Sequence, residues 1–296
     1  MVQGNMPLVS IIILNYKNAD LTAECVRSIV TANLKVDHEI IVVDNDSQDG
    51  SYTILRDELS QFAQIIASPF NCGFSRGNNL GASYASGRYF FFLNNDTLLK
   101  PFVLEEMIGI LENDSRFGAI TCQSTNGKDE YLNNGHPFPS VLTMLKEIYI
   151  RPLIPEFMRA KLRQVKSGQD TGSVTPYDWI SGSALLISSE LFNKIGGWDE
   201  DYFMYMEDVS LCQEVARANK ICGVYERHGF VHFHGDASGS ERVVYEAGRS
   251  EILYYRKYPT GKTYLNKWLA IIRARKRAKT FGHCSVRRIT DSLRRI

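Results

Sequence analysis

The stretch RYFFFLNNDTLLKP, residues 88–101, sets four consecutive apolar side chains, Phe90 to Leu93, directly against Asn94, Asn95 and Asp96. A run that is apolar at every position, and not at alternate ones, is the pattern of a strand covered on both faces. A carboxylate at the mouth of such a strand is costly unless it is paired or bound to a metal ion. Mg²⁺ and Mn²⁺ suit carboxylate oxygens combined with substrate phosphates. The plainer alternative is a capping turn before Pro101, with Thr97 sharing that work.

Further strands are expected on either side of this segment. Residues 9–14 form a β-branched run, residues 39–43 a second ending in Asp44, and residues 64–67 and 118–122 two more. Between them, helices are expected at 20–32, 51–59, 77–86 and from Pro101 to about 112. This alternation predicts an α/β fold with a mostly parallel central sheet and helices on both faces. Ligands on such sheets bind beyond the carboxyl ends of the strands, where Asn15, Asp44, Asp46 and residues 94–96 fall. The pattern is irregular over 123–176. A strand at 179–188, an amphipathic helix at about 208–219 and a strand at 230–234 are expected after it.

The chain has 296 residues, 44% of them hydrophobic, enough for one large core and an appendage. Its net charge of +1 hides an asymmetry: residues 1–252 carry 21 Lys/Arg against 32 Asp/Glu, residues 253–296 carry 13 against 1. A basic tail of this kind meets polyanions, either anionic lipid or nucleic acid. Within it Leu265, Trp268, Leu269 and Ile272 share one helical face, as in a helix lying on a membrane surface or docked on the body. A nucleic-acid partner would leave the acids at the strand ends unexplained, so none is expected. The six cysteines form no CxxC pair and read as free thiols of a reducing compartment. With no secretory signal and no apolar run of spanning length, a cytoplasmic protein is expected, peripheral on the inner face of the membrane if the tail binds there.

Four motifs bear on chemistry. In VVDNDSQDGS (42–51) two carboxylates follow a strand, fit for a ribose or base edge or simply for a turn. In NCGFSRGNNLG (71–81) glycines recur every four residues, which suits either phosphate approach or close helix–sheet packing. In MYMEDVSL (204–211) Glu207 and Asp208 open a helix. The helix dipole lowers a carboxyl's pKa there, and packing by Trp198, Tyr202, Phe203 and Tyr205 opposes that by desolvation. In FVHFHGDAS (230–238) His232 and His234 share one face of a strand, a pattern open to metal ligation.

Together with VSIIILNY, FLNNDT, WISGSALLIS and GGWDEDYFMYMEDVSLC, these blocks resemble, in order, the family-2 glycosyltransferases of GT-A fold, and among them the bacterial rhamnosyltransferase-like branch. The resemblance covers about residues 8–240. It implies a catalytic body at 6–252, with a nucleotide-sugar half at 6–122 and an acceptor half at 123–252, followed by the basic tail at 253–296. It implies inverting transfer of rhamnose or a hexose from a dTDP- or UDP-linked donor to a glycan or lipid-linked acceptor, aided by Mg²⁺ or Mn²⁺. The donor side would comprise Asn15, Asp44, Asp46, Asn71, Gly73, Asn78, Asn94, Asn95 and Asp96. Asp96 would be the main carboxylate ligand of the metal, because Asn94 replaces the first acid of the family's DxD motif. His232, with His234 in reserve, would touch metal or diphosphate. Asp208 would be the catalytic base and Glu207 its support, with Trp179, Gly182 and Glu207 bordering the acceptor. The rival readings are a sugar-nucleotide pyrophosphorylase, which the glycine-free LNYKNADLT disfavours, and a non-catalytic sugar- or nucleotide-binding module.

Overall fold

The computed structural model describes residues 8–150, 153–155, 158, 172–233, 240–259, 263–280 and 286–296. Strands β1 (Val9–Asn15), β2 (His38–Asp44), β3 (Gln64–Ala67) and β4 (Tyr89–Asn94) alternate with helices α1 (Ala19–Ala32), α2 (Ser51–Leu59) and α3 (Gly73–Tyr84). They form the parallel block β3-β2-β1-β4. Register places Leu14 beside Asn94 and Asn15 beside Asp44, so three strand ends open side by side.

The apolar run of β4 divides by the two-residue period of a strand. Phe91 and Leu93 face a core shared with α1 and with α4 (Val103–Asn113). Phe90 and Phe92 face the opposite core, where Phe92 meets Trp198 edge-on at 5.1 Å. Each layer is sealed by its own helices, which is why no polar residue interrupts the strand.

Beyond β4 the sheet departs from simple alternation. The short strand β5 (Thr97–Leu99) follows β4 at once, and α4 starts at Val103, two residues after Pro101. Strand β6 (Phe117–Thr125) is longer than expected and carries β7 (Tyr131–Leu132) on its edge. The single strand expected at 179–188 is two: β10 (Trp179–Ile180), paired with β8 (Gly135–His136), and β11 (Ala184–Ser188). Strand β11 lies antiparallel between β4 and β6. Strand β12 (Ile221–His232) starts nine residues earlier than expected. It runs parallel to β6 and takes β9 (Val174–Tyr177) on its other side. Register shifts near His228 bend its end, so that His232 lies opposite Thr97 of β5.

Of the remaining helices, α5 (Val141–Leu145) precedes a wider turn, Lys146–Ile150. Helix α6 is Ser189–Lys194 and α7 is Glu207–Arg217. The C-terminal set is α8 (Glu241–Lys257), α9 (Thr263–Thr280) and α10 (Val286–Arg295). The boundary expected at 252/253 falls inside α8, because that helix packs along its whole length. Val244 joins α9 and α10 in one cluster, while Tyr254 and Tyr255 join Val209 and Leu269 in another. Helix α9 therefore docks on the body: Leu269 is fully buried and Leu265 and Ile272 pack beside it, whereas Trp268 points outward. Among the described residues no helix is long and apolar enough to cross a membrane. Cys25, Cys72, Cys122, Cys212 and Cys222 are free thiols.

Candidate active site at the carboxyl edge of the sheet

The ends of β1, β2 and β4 are tied by one buried polar network. Asn15 Nδ2 donates to Asp44 Oδ1 at 2.7 Å, and Ser47 donates to the same carboxylate through its hydroxyl and its backbone N–H. Thr22 Oγ1 donates to Asn15 Oδ1 at 2.8 Å and accepts from Asn95 Nδ2 at 2.9 Å. A carboxylate offers about four acceptor positions, and three of Asp44's are filled from within the protein. Asp44, only 4% exposed, thus organises the strand ends, with one acceptor position not filled among the described residues. Asp46, in the left-handed conformation at φ 57°, is half-buried beside it.

Asn45, between those two acids, was missed by sequence reasoning. Its amide nitrogen donates to Asn71 Oδ1 and to Gly73 O, while its oxygen accepts from Cys72 N–H. It therefore fixes residues 71–73 at the start of α3, four residues before the expected helix start. Gly77 and Gly81 serve packing: a Cβ there would stand 2.4 Å from Leu14 and 2.5 Å from Ile12. Gly73 has φ +84°, and a Cβ on it would lie 2.4 Å from Phe203 O. Asn78 turns back on its own helix, donating to Phe74 O. Its neighbour Asn79, also missed, exchanges two hydrogen bonds with the backbone of Trp198. Together with the bond from Phe74 N–H to Phe203 O, this clamps α3 to the loop leading into α7.

Asp96 and His232 meet past β4. Asp96 Oδ1 lies 3.2 Å from His232 Nε2, Asn94 Nδ2 lies 3.5 Å from the same nitrogen, and Phe233 N–H donates to Asp96 O. Two cis ligands of an octahedral Mg²⁺ at about 2.1 Å stand about 3 Å apart, so this pair has the spacing a divalent cation requires. Among the described residues no three His, Cys, Asp or Glu side chains converge on one point. A cation here would be completed by substrate oxygens and water, as Mg²⁺ prefers. His234 lies outside the described residues.

The second carboxylate pair stands on a strained turn. Tyr205 and Met206 are both left-handed at φ 67°, a conformation that costs non-glycine residues about 1–3 kcal/mol each. They deliver Glu207 and Asp208 as the first residues of α7. Asp208 accepts from Val209 N–H at 2.8 Å and from Gly182 N–H at 3.5 Å. A Cβ on Gly182 would lie 3.4 Å from Asp208 Cβ, so the glycine admits this approach without spare room. Burial pushes the Asp208 carboxyl up to about 6, against the lowering effect of those backbone donors. Glu207 is pushed well above the usual carboxylate range, by burial first and by neighbouring Asp208 second. Its Oε2 is buried without a hydrogen-bond partner among the described residues. Both carboxyls are raised, and with Asp208 opposing ionisation of Glu207 the pair favours carrying one charge over two.

Glu207 and Asp208 open into a cavity of about 490 Å³. Trp179 and Pro139 form one wall, and α8 and α9 form the other through Val243, Ala247, Arg273 and Arg277. Trp179 is held by donation to Pro137 O and by stacking on His136 at 4.6 Å. The cavity and the Asp96 cluster are linked through the turn that precedes β11. Ser183 O accepts from Asn94 N–H, and the preceding Gly182 donates to Asp208. The structure thus brings the strand-end acids, residues 94–96, His232, Gly182 and Asp208 to one sheet edge, and turns Asn78 into α3.

Known proteins share both this sequence and this fold. A low-salt glycan biosynthesis hexosyltransferase, Agl10 of Haloferax volcanii, is 30% identical over 224 residues, which is 71% of this chain and 62% of the relative. Rhamnosyltransferase WbbL of Escherichia coli is 25% identical over 71% of this chain and 78% of its own length. An N-acetylglucosaminyl-diphospho-decaprenol L-rhamnosyltransferase of Mycobacterium tuberculosis is 33% identical over 28% of this chain and 27% of its own length. The chain therefore spans less than two thirds of the length of Agl10 and of that mycobacterial enzyme. The mannosyltransferase PcManGT of Pyrobaculum calidifontis, solved with GDP-Man and Mn²⁺, superposes with a TM-score of 0.57 at 16% identity over 97% of this chain and 79% of that one. S. aureus TarS 1-349 superposes at 0.52 and 15% identity, over 93% and 72% respectively. These likenesses show the GT-A fold expected from the alternating strands and helices. The profile described as Glycosyl transferase family 2 matches residues 10–177, more than half of the chain and the whole run from β1 to β9, and the chain belongs to that family.

Proposed function

We propose that the chain is a metal-assisted, inverting glycosyltransferase of surface-glycan synthesis. It moves rhamnose or a hexose from a dTDP- or UDP-linked donor to a hydroxyl of a glycan or lipid-linked acceptor. The observation that carries this reading is the placing of a carboxylate of raised pKa, Asp208, in the wall of a cavity that one turn, 182–183, joins to the Asp96–His232 pair. The names of the relatives, hexosyl- and rhamnosyltransferases, and the Mn²⁺ and GDP-Man bound by PcManGT support it. The mycobacterial name, an enzyme of a diphospho-decaprenol sugar, supports a lipid-linked acceptor.

In this mechanism the donor lies over the ends of β1, β2 and β4, with Asp44, Asp46, Asn71 and Gly73 near its nucleoside. Asp96 and His232 would hold a divalent cation, whose charge would offset that developing on the departing nucleoside diphosphate. The acceptor enters the cavity against Trp179 and Gly182. Glu207, pushed toward its protonated form by burial and by neighbouring Asp208, donates a hydrogen bond to it. Asp208 takes the proton of the attacking hydroxyl, and one displacement inverts the anomeric carbon, so no enzyme nucleophile is needed.

A panel of nucleotide sugars with Mg²⁺ or Mn²⁺, read by release of nucleoside diphosphate, tests the reading. Turnover of at least one donor that depends on both Asp96 and Asp208 is expected. Full turnover by Asp208→Asn, or donor binding indifferent to the cation, would refute it.

A further inference from the structure

Docking of α9 leaves the tail's charge without its expected apolar companion, because Leu265, Leu269 and Ile272 turn inward. The outward face of α9 carries Trp268, 53% exposed, with Arg275, Lys276 and Lys279 two to three turns on. No Asp or Glu occurs between residues 263 and 280. Beside this face lies the segment from α5 through the wide turn Lys146–Ile150, whose Met144 and Ile148 pack with Leu265 and Leu269. Lys276 Nζ donates to Ile148 O at 2.5 Å and lies 5.4 Å from the centre of the Tyr149 ring. That segment exposes large apolar side chains in close succession: Leu142 at 61%, Tyr149 at 51% and Ile150 at 53%. Scattered apolar residues on a surface are ordinary, but a cluster rimmed by one sign of charge marks an interaction site.

We infer that this composite face, Leu142, Tyr149 and Ile150 beside Trp268, Arg275 and Lys279, seats the protein on an anionic lipid surface. Its chemistry is that of the membrane interface: aromatic rings and aliphatic chains that enter the headgroup layer, with cations and no acids on α9 around them. A protein partner of ordinary composition would be met by mixed charge, and a nucleic acid would have no use for exposed Leu142 and Ile150. Pro139, two residues before α5, lines the cavity that holds Asp208. The face thus lies next to the acceptor entrance, on the side from which a lipid-linked sugar would arrive.

The inference does not depend on the reaction assigned above, and its test reads no turnover. The full chain is mixed with vesicles of phosphatidylcholine alone or with 30% phosphatidylglycerol, and co-sedimentation is measured at low and high salt. Binding to the anionic vesicles only, weakened by salt, is expected. Each basic residue near such a surface is worth about fivefold in partition, so Arg275→Gln/Lys279→Gln, which spares the Lys276 contacts, lowers binding about twenty-five-fold. Tyr149→Ser/Ile150→Ser/Trp268→Ser, at exposed positions, lowers it further while the unfolding temperature stays within a few degrees. The inference is overturned by equal binding to both vesicle types, by no binding, or by variants that bind like the parent. It is also overturned if the patch variants convert a dimer to a monomer in light scattering with vesicle binding unchanged, since the face would then belong to a second copy of the chain.

Discussion

Replacing Asp208 by Asn separates what the carboxylate does for catalysis from what it costs the fold. Holding a carboxyl at about 6 in place of its ordinary 3.8 penalises the ionised form by about 3 kcal/mol. Because the pKa in the folded state is raised, the penalty is absent below pH 3.8, grows through the interval up to about 6, and is complete above it. Asn removes the charge and keeps an acceptor for Val209 N–H, but turns an amide N–H toward Gly182 N–H. That loss is worth about 1 kcal/mol. Above pH 7 the variant should thus be about 2 kcal/mol more stable than the parent, and near pH 3.5 about 1 kcal/mol less stable. Turnover should fall roughly 10²–10⁴-fold, the usual worth of a general base. In the parent, kcat should drop about tenfold per pH unit below 6. Urea unfolding of both proteins across pH 3.5–8, beside nucleoside diphosphate release, reads all three. A variant that is less stable than the parent at pH 8, or a stability difference that does not change with pH, would refute the idea that burial sets the basicity of Asp208.

The other perturbations probe separate parts of the site. Asp96→Ala should remove the cation dependence of donor affinity, seen by calorimetry with and without Mg²⁺ or Mn²⁺, while Asp208→Asn leaves that affinity nearly intact. Gly73→Ala combines a positive φ with a backbone contact at 2.4 Å, and should lower stability by more than 1 kcal/mol in thermal unfolding and turnover with it, through displacement of Phe203 and the turn before Glu207. Leu269→Ala, in the fully buried contact between α9 and the body, should cost about 2–5 kcal/mol by urea denaturation. A cost within 0.5 kcal/mol would mean that α9 does not pack as described.

The parallel block was legible because residues 11–14, 40–43 and 90–93 are apolar at every position, a pattern that two covering layers produce, and because polar residues follow where each run stops. The same logic failed at 179–188, where one apolar run hides a break: Ser181, Gly182 and Ser183 look like tolerated small residues, yet they separate β10 from β11. Direction is invisible to periodicity, so nothing in ALLIS announces an antiparallel strand. Of the site, residues 94–96, Asp44, Glu207 and Asp208 stood out because acids at strand ends and helix starts demand a partner. Asn45 and Asn79 did not, because an amide that fastens one loop to another has no compositional mark, although NCGFSRGNNLG contained Asn79 in plain view. For α9 the helical period identified Leu265, Leu269 and Ile272 correctly as one face and included Trp268 wrongly. On an ideal helix Trp268 lies about 60° from Leu265 and about 100° from Leu269, at the rim of that face, where periodicity alone does not separate buried from exposed.

The reversal of β11 has an architectural consequence. In a sheet of uniform direction every strand offers the site only the loop that leaves it, so the number of side chains reaching one spot is limited to one exit per strand. Running a single strand backwards gives that same edge an arrival as well as departures. The polypeptide enters between β4 and β6 with the residues just before β11, 182 and 183, already beside Asp208 and Asn94. A lengthened or shortened segment ahead of β11 would reshape the cavity beside Asp208 without shifting any strand of the parallel block, which gives this scaffold a natural place to vary.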